Sequence, residues 1–332
     1  MTAGIAIVGT GAMGRAHARA FAGAGRGDDI AYLCSARNPQ PIIDAPAARL
    51  TTSIHEVLND PAVGIVSICT PTDTHRDLAI RALRAGKHVL LEKPIALTVG
   101  DAMAILHEAE SSAGIIMVAH VVRFFGGYES ISDAVRDGAV GTPLTATAER
   151  LSPPAPASPW WQDERRSGGH LVDFAIHDFD QLNLHLGTPL SVRAERGRPD
   201  GPTVTTVEYA DGGLGRVLTS MQNPEAFGFT SAIEVVGSTG LVTHRFASAG
   251  PSEPAPLRLD ALGSAAAMNG HPIDATDPYR RQAKYFIDCV EHHRSPIRVT
   301  GRSAVSALAL ALAARSSLAS GRSERVMGSA ER

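Results

Sequence analysis

Apolar positions fall in two rhythms along this chain. Up to about residue 120, short unbroken apolar runs alternate with stretches of helical period. The runs are Ile5–Val8, Ile30–Cys34, Gly64–Cys69, His88–Leu91 and Ile115–Val118, and each predicts a strand buried on both faces. Between them, a stretch from Ala16 to Phe21, Ile54–Leu58, Asp77–Ala85 closed by Gly86, and Asp101–Ser111 read as helices. Strict alternation of strand and helix is the pattern of a doubly wound parallel sheet, an α/β fold.

The second rhythm is that of half-buried strands. Tyr128–Asp137 is a helix closed by Gly138, and Leu144–Leu151 alternates as a strand. Ser152–Trp161 is proline-rich and reads as a loop, and Ser167–Gly187 reads as a glycine turn followed by a helix. Ser191–Arg196, Val204–Tyr209, Leu214–Met221, Thr230–Val236 and Leu241–Phe246 are short alternating runs. Asp211-Gly212 and Ser238-Thr239-Gly240 supply hairpin turns between them. Ala247–Asp277 is poorly patterned and reads as loop, Pro278–His292 and Ser303–Leu318 as amphipathic helices, and the tail from Ser320 as frayed. The expectation is a parallel-sheet domain over residues 1–121 and an α+β domain with a mostly antiparallel sheet over 122–332.

The first strand ends in Gly9-Thr10-Gly11-Ala12-Met13-Gly14, a Gly-x-Gly-x-x-Gly turn that opens a helix. Gly9 permits the sharp turn, Gly11 leaves room for a pyrophosphate, and Gly14 lets the helix lie close on the strand. The helix N-terminus then offers free N–H groups and a positive dipole end to phosphates. Strand before and helix after make this a dinucleotide site rather than a glycine-rich turn. The second strand is followed by Ser35-Ala36-Arg37-Asn38, with no acid where a ribose 2′-hydroxyl would need one about 20 residues past the glycines. Ser35 and Arg37 suit a 2′-phosphate instead, which favours NADP over NAD.

Composition narrows the remaining classes. The 332 residues carry a formal net charge of −3, with 44% hydrophobic and 20% charged residues, as expected of two globular domains. No basic block points to nucleic acid. No leader is apparent, and the apolar run Ala304–Ala314 is too short to span a bilayer, so a cytoplasmic protein is expected. Cys34, Cys69 and Cys289 read as buried, reduced thiols.

Two stretches could do chemistry. Lys93 follows an apolar strand at the carboxyl edge of the parallel sheet, where a cation can hold a substrate hydroxyl and favour its ionisation. In Gly168-Gly169-His170-Leu171-Val172-Asp173-Phe174-Ala175-Ile176-His177, Asp173 and His177 are four apart and share a helix face. His177 can then act as a general base oriented by Asp173. The same spacing also fits an amphipathic helix with structural hydrogen bonds, and no metal-ligand spacing is matched. His120 and Arg123 lie at the last strand end, as substrate contacts or as residues of the junction. Trp160 and Trp161 could stack on a sugar ring or anchor their loop.

Taken in order, the glycine turn, Thr70-Pro71-Thr72 with His75, Glu92-Lys93-Pro94, His120-Val121-Val122-Arg123-Phe124, and Gly168-Gly169 with Asp173 and His177 resemble the glucose–fructose oxidoreductase / inositol dehydrogenase / rhizopine-catabolism (Gfo/Idh/MocA) family. The resemblance implies a Rossmann domain and a second domain with a large open sheet that pairs subunits into a homodimer or homotetramer. It implies Lys93, Asp173 and His177 as the catalytic group. It implies cofactor contacts from Gly9, Thr10, Gly11, Ala12, Met13, Gly14, Ser35, Arg37, Thr70, Pro71, Thr72, His75, Glu92 and Lys93. Substrate contacts would come from His120, Arg123, Trp160 and His170, the last standing where many members have a small residue. The activity implied is hydride transfer between a nicotinamide and a secondary hydroxyl of a sugar or inositol-like polyol. A glycoside hydrolase that recycles its nicotinamide, or a non-catalytic nucleotide-binding protein, are the alternatives.

Overall fold

The computed structural model describes residues 3–154, 159–248, 258–261 and 276–327. The chain divides into two compact units, Met1–Phe124 with Thr276–Val305, and Phe125–Ala275 with Ser306–Arg332. The first unit thus takes back a segment that the sequence pattern assigns to the second half. The reason is the apolar stripe of helix α10 (Pro278–Glu291), capped by Asp277, whose carboxylate accepts the Tyr279 N–H at 2.9 Å. Ala283, Phe286, Ile287 and Val290 of α10 share one core with Ala18 and Phe21.

In the first unit the strands are β1 (Gly4–Val8), β2 (Ile30–Cys34), β3 (Arg49–Thr51), β4 (Val63–Ile68), β5 (His88–Leu91) and β6 (Ile116–Val118). They form one parallel sheet in the order β3-β2-β1-β4-β5-β6. Its helices are α1 (Ala12–Gly23), α2 (Ile54–Asn59), α3 (His75–Arg84) and α4 (Val99–Ser111). Strand order reverses between β1 and β4, so a crevice for ligand opens beyond the carboxyl ends of those two strands. The short edge strand β3 escapes the sequence pattern, because three residues with two exposed show no periodicity.

The second unit holds α5 (Gly126–Arg136), β7 (Pro143–Leu151), α6 (Pro159–Gln162), α7 (Glu164–Ser167), α8 (His170–Asp173) and α9 (Ile176–Leu186). Then come β8 (Pro189–Arg196), β9 (Thr203–Tyr209), β10 (Leu214–Ser220), β11 (Thr230–Gly237), β12 (Gly240–Ala247) and β13 (Arg258–Ala261). After α10, helix α11 (Gly301–Ser320) and β14 (Glu324–Arg325) close the chain. Eight strands form a mixed sheet in the order β13-β12-β11-β7-β10-β9-β8-β14, in which only the β7–β10 pair is parallel. Ala146, Ala148, Val217, Ile233 and Val235 are among its buried side chains, and α9 packs against β7 and β10.

Three details depart from the sequence pattern. The tail is not wholly frayed: Glu324 and Arg325 add an edge strand to β8, and the Ser317 hydroxyl accepts the Ala194 N–H. Of the unpatterned Ala247–Asp277, β13 pairs with β12, and 249–257 and 262–275 lie outside the described residues. Helix α11 runs two residues beyond each end of the expected Ser303–Leu318, and by length and composition it could cross a membrane. Its polar groups instead serve the fold. Ser306 accepts from Asn183, Arg315 donates to the Gly168 carbonyl, and Ala307, Leu308, Leu310, Ala311 and Ala314 are buried.

Candidate active site

The glycine turn is built as its sequence demands. Gly9 has φ +98°, and a Cβ there would stand 2.6 Å from the Cys69 carbonyl oxygen. A Cβ on Gly14 would stand 1.9 Å from the Gly9 oxygen, so helix and turn touch backbone to backbone. A Cβ on Gly11 would meet nothing within 4 Å, and Gly11 caps α1 with no side-chain hydrogen bond. The first turn of α1 therefore presents its N–H groups to open space, which is the cradle that a pyrophosphate requires. Thr10 turns inward, its hydroxyl accepting the Gln40 N–H, while Ala12 is exposed and Met13 half-buried. Ser35 is half-buried and Arg37 exposed just past β2.

Beneath this cradle lies a buried polar chain. His17, on α1, places Nδ1 2.7 Å from Ser67 Oγ and Nε2 2.9 Å from Glu92 Oε1. Glu92 Oε2 accepts the Lys93 backbone N–H at 3.0 Å. Burial alone pushes an imidazole down, but the neighbouring Cys69 and Glu92 outweigh it and take His17 up to about 10. His17 is therefore an imidazolium at neutral pH, balancing Glu92. Glu92, expected at the cofactor, is 5% exposed and is held in this chain by His17 and the Lys93 N–H.

His75 is also a brace. It is buried, with Nδ1 2.8 Å from the Pro94 carbonyl and Nε2 3.0 Å from the Thr70 carbonyl. It ties the turn after β4 to the turn after β5, and burial pushes its pKa down. Thr70 and Thr74 join hydroxyls at 2.7 Å, Pro71 starts the 3₁₀ turn Thr72–Thr74, and Thr72 is buried. Lys93 follows β5 half-buried, in the cis Lys93–Pro94 unit. His120 is fully buried after β6. Arg123 donates to the Arg298 carbonyl at 2.7 Å while Arg298 donates back to the Arg123 carbonyl at 2.6 Å, a reciprocal clamp.

In the second unit, Gly168 (φ +83°) and Gly169 (φ +79°) turn the chain from α7 into α8. The expected single helix is interrupted at Phe174 and Ala175, so Asp173 ends α8 and His177 is the second residue of α9. At the break the Arg150 guanidinium lies over the Phe174 ring, 5.8 Å from the ring centroid. Asp173 Oδ2 accepts the Trp161 indole N–H at 2.9 Å.

His177 is seated by its neighbour Asp178. The Arg150 fork donates from Nε (2.8 Å) and Nη2 (2.9 Å) to the two Asp178 oxygens, with both side chains buried. Complete burial pushes the Asp178 carboxyl up, and the guanidinium opposes that. The fork locks the start of α9 onto β7, so Arg150 is a supporting residue that motif reading misses. Its signal was present: it alternates in phase with the buried Ala146 and Ala148, where a charge needs a partner.

A cavity of about 180 Å³ opens beside this segment, lined by Trp161, Glu164, Gly169, His170, Arg196 and Thr219 among others. Trp161, rather than Trp160, supplies the aromatic wall. Among the described residues no group of three or more His, Cys, Asp and Glu converges as a metal site would need.

Comparison with known proteins gives this geometry a context. The family model described as an oxidoreductase family with an NAD-binding Rossmann fold matches residues 3–120. A second, described as the GFO/IDH/MocA C-terminal domain, matches residues 128–243. A myo-inositol 2-dehydrogenase of Thermotoga maritima is 29% identical over 290 residues, 82% of this chain and 84% of its own. A 1,5-anhydro-D-fructose reductase of Ensifer adhaerens is 28% identical over 83% of each chain. A crystal structure provisionally described as a myo-inositol dehydrogenase of Sinorhizobium meliloti 1021 superposes with a TM-score of 0.81 at 27% identity, over 98% of this chain and 100% of that one.

Proposed function

Because this chain belongs to the Gfo/Idh/MocA oxidoreductase family, we propose that it is a nicotinamide-dependent dehydrogenase acting on a secondary hydroxyl of a sugar or inositol-like cyclic polyol. The observation that carries the reading is the glycine cradle at the end of β1, joined through His17 and Glu92 to the backbone of Lys93. One unit thereby joins a glycine turn suited to a pyrophosphate to the backbone of Lys93 at the carboxyl edge of the same sheet.

The roles follow from the chemistry of the side chains. Gly9, Gly11 and Gly14 with the first turn of α1 would hold the pyrophosphate, with Thr70, Pro71 and Thr72 bordering it. The dinucleotide, when bound, supplies the hydride acceptor for alcohol oxidation. The Lys93 ammonium holds the reacting oxygen and favours its ionisation. His177 takes the hydroxyl proton, and Asp173 stabilises the resulting imidazolium. Trp161 fixes one Asp173 oxygen by donating its indole N–H.

The family description names NAD, and this chain lacks the acid that would favour it. Ser35 and exposed Arg37 support NADP as the preferred form. A homodimer or homotetramer formed through the eight-stranded sheet is part of the proposal. It is supported by β10, where exposed Leu214 and Arg216 alternate with buried Gly215 and Val217, leaving one sheet face uncovered. Light scattering in solution tests it. The free thiols of Cys34, Cys69 and Cys289 support a cytoplasmic setting.

The test is a panel of inositols, aldoses and anhydro sugars with either dinucleotide. A dehydrogenase changes the near-ultraviolet nicotinamide band in proportion to substrate consumed. Substrate turnover with no net change in that band would instead indicate a recycling hydrolase, and binding without turnover a non-catalytic protein.

A further inference from the structure

The cavity beside Asp173 has a charge arrangement that a neutral polyol does not need. Arg196, at the end of β8, is exposed and has no carboxylate partner among the described residues. Its Nε donates to Thr203 Oγ1 at 3.0 Å and its Nη2 to His170 Nε2 at 2.9 Å, with a longer 3.4 Å contact from Nη1 to the Pro199 carbonyl. A guanidinium has five N–H donors, so one hydrogen on each terminal nitrogen is left for a further acceptor.

The surroundings hold that cation in place without neutralising it. Burial, then the nearby Arg196, push the His170 imidazole down to about 4. His170 therefore stays neutral and accepts from Arg196 through Nε2, which leaves the hydrogen on Nδ1. The Thr219 hydroxyl, 1% exposed and lining the same cavity, has no hydrogen-bond partner. An unsatisfied buried hydroxyl is costly unless something fills its need. The carboxylate of Glu164 stands on another wall, next to Gly169, and is not paired with Arg196. The cavity thus offers a cationic fork at one place and an acceptor for hydroxyl groups at another. Its 180 Å³ exceeds several waters at about 30 Å³ each, room for a carboxylate and its adjoining hydroxylated carbons.

We propose that this cavity is a carboxylate subsite, and that the preferred substrate is a polyhydroxylated acid, held by Arg196 through its carboxylate and by Glu164 through a hydroxyl. The proposal rests on the dehydrogenase reading above for the word substrate, and on the second unit alone for the subsite. Planar bidentate recognition is what distinguishes a guanidinium from a simple point charge.

The experiment compares matched pairs, glucuronate with glucose, galacturonate with galactose, and gluconate with sorbitol. The enzyme is saturated with dinucleotide, binding is read by calorimetry and turnover by the nicotinamide band. At least one acid should bind about tenfold or more tightly than its neutral partner, and Arg196→Gln should reduce that ratio to about twofold or less. Arg196→Lys should restore only part of it. Because Arg196 is exposed, circular dichroism should report native folding for both variants. No acid preferred in any pair, or a preference unchanged in Arg196→Gln, overturns the subsite. Tighter binding of glucose 6-phosphate than of every acid overturns the carboxylate assignment. Arg196-dependent acid binding with no turnover of any compound keeps the subsite and contradicts the dehydrogenase reading; turnover with no acid preference does the reverse.

Discussion

Nε2 of His17 lies 2.9 Å from Oε1 of Glu92, and the other oxygen of that carboxylate receives the Lys93 backbone N–H at 3.0 Å. Residues 75 apart in sequence thereby connect helix α1 to the backbone of Lys93, the proposed catalytic lysine. His17→Gln keeps polarity but removes the buried positive charge, so the Lys93 turn should loosen. The expected result is a fall in kcat on the order of tenfold, with a smaller change in dinucleotide affinity, because the glycine cradle itself is untouched. Equal losses in both would indicate general collapse of the unit rather than a positioning role.

The same pair carries a pH signature. The folded pKa of His17, about 10, lies above its ordinary value of 6.5. Its contribution to stability is therefore complete below pH 6.5 and is lost as the pH rises through about 10. Chemical denaturation of the wild type between these limits should show declining stability. His17→Gln should flatten that decline, and a slope identical to wild type would remove His17 as its cause.

Arg150 and Asp178 form a buried bidentate pair at the start of α9. Removing one partner leaves the other as an uncompensated buried charge, so Arg150→Met or Asp178→Asn should each cost about 3–5 kcal/mol. Replacing both with apolar residues of similar volume should recover much of that loss. Denaturation midpoints of the two single variants and the double variant measure the coupling directly.

The indole of Trp161 gives its N–H to Asp173. Trp161→Phe keeps a ring in the cavity wall but removes the donor. Hydrogen bonds to charged groups are worth about 1.5–3 kcal/mol, so kcat/KM should drop about ten- to a hundredfold with the thermal midpoint little changed. Steady-state kinetics set beside a melting curve distinguish this from a merely structural role.

How much of this was legible in the sequence depends on how far each signal reached along the chain. The Gly9-x-Gly11-x-x-Gly14 turn was legible because each glycine answers a local steric demand, and the backbone contacts of Gly9 and Gly14 have that form. Lys93 was singled out by its place after an apolar strand, and it lies half-buried just past β5. Glu92 and His75 were singled out for the same reason; their bracing contacts with His17 and the Pro94 carbonyl, 75 and 19 residues away, were not legible. The return of α10 to the first unit was hidden likewise, since an amphipathic stripe states that it needs a partner but not which one. The Asp173–His177 spacing suggested one helix, whereas the chain breaks at Phe174, over whose ring the Arg150 guanidinium lies.

The proposed NADP preference rests on Ser35 and Arg37. Arg37→Ala should raise the Michaelis constant for NADP on the order of tenfold while leaving NAD nearly unchanged, and Ser35→Asp should shift preference toward NAD. A wild-type enzyme with a strong NAD preference would contradict the NADP assignment.

In the proposed mechanism Lys93 acts on the reacting oxygen, while the glycine turn, Ser35 and Arg37 carry most of the dinucleotide's binding. Lys93→Ala, assayed for turnover and for dinucleotide binding by fluorescence titration, tests both halves at once. The account predicts a fall in kcat on the order of a hundredfold or more, with dinucleotide affinity within about twofold of wild type. Undiminished turnover on a substrate that the wild type oxidises would contradict it.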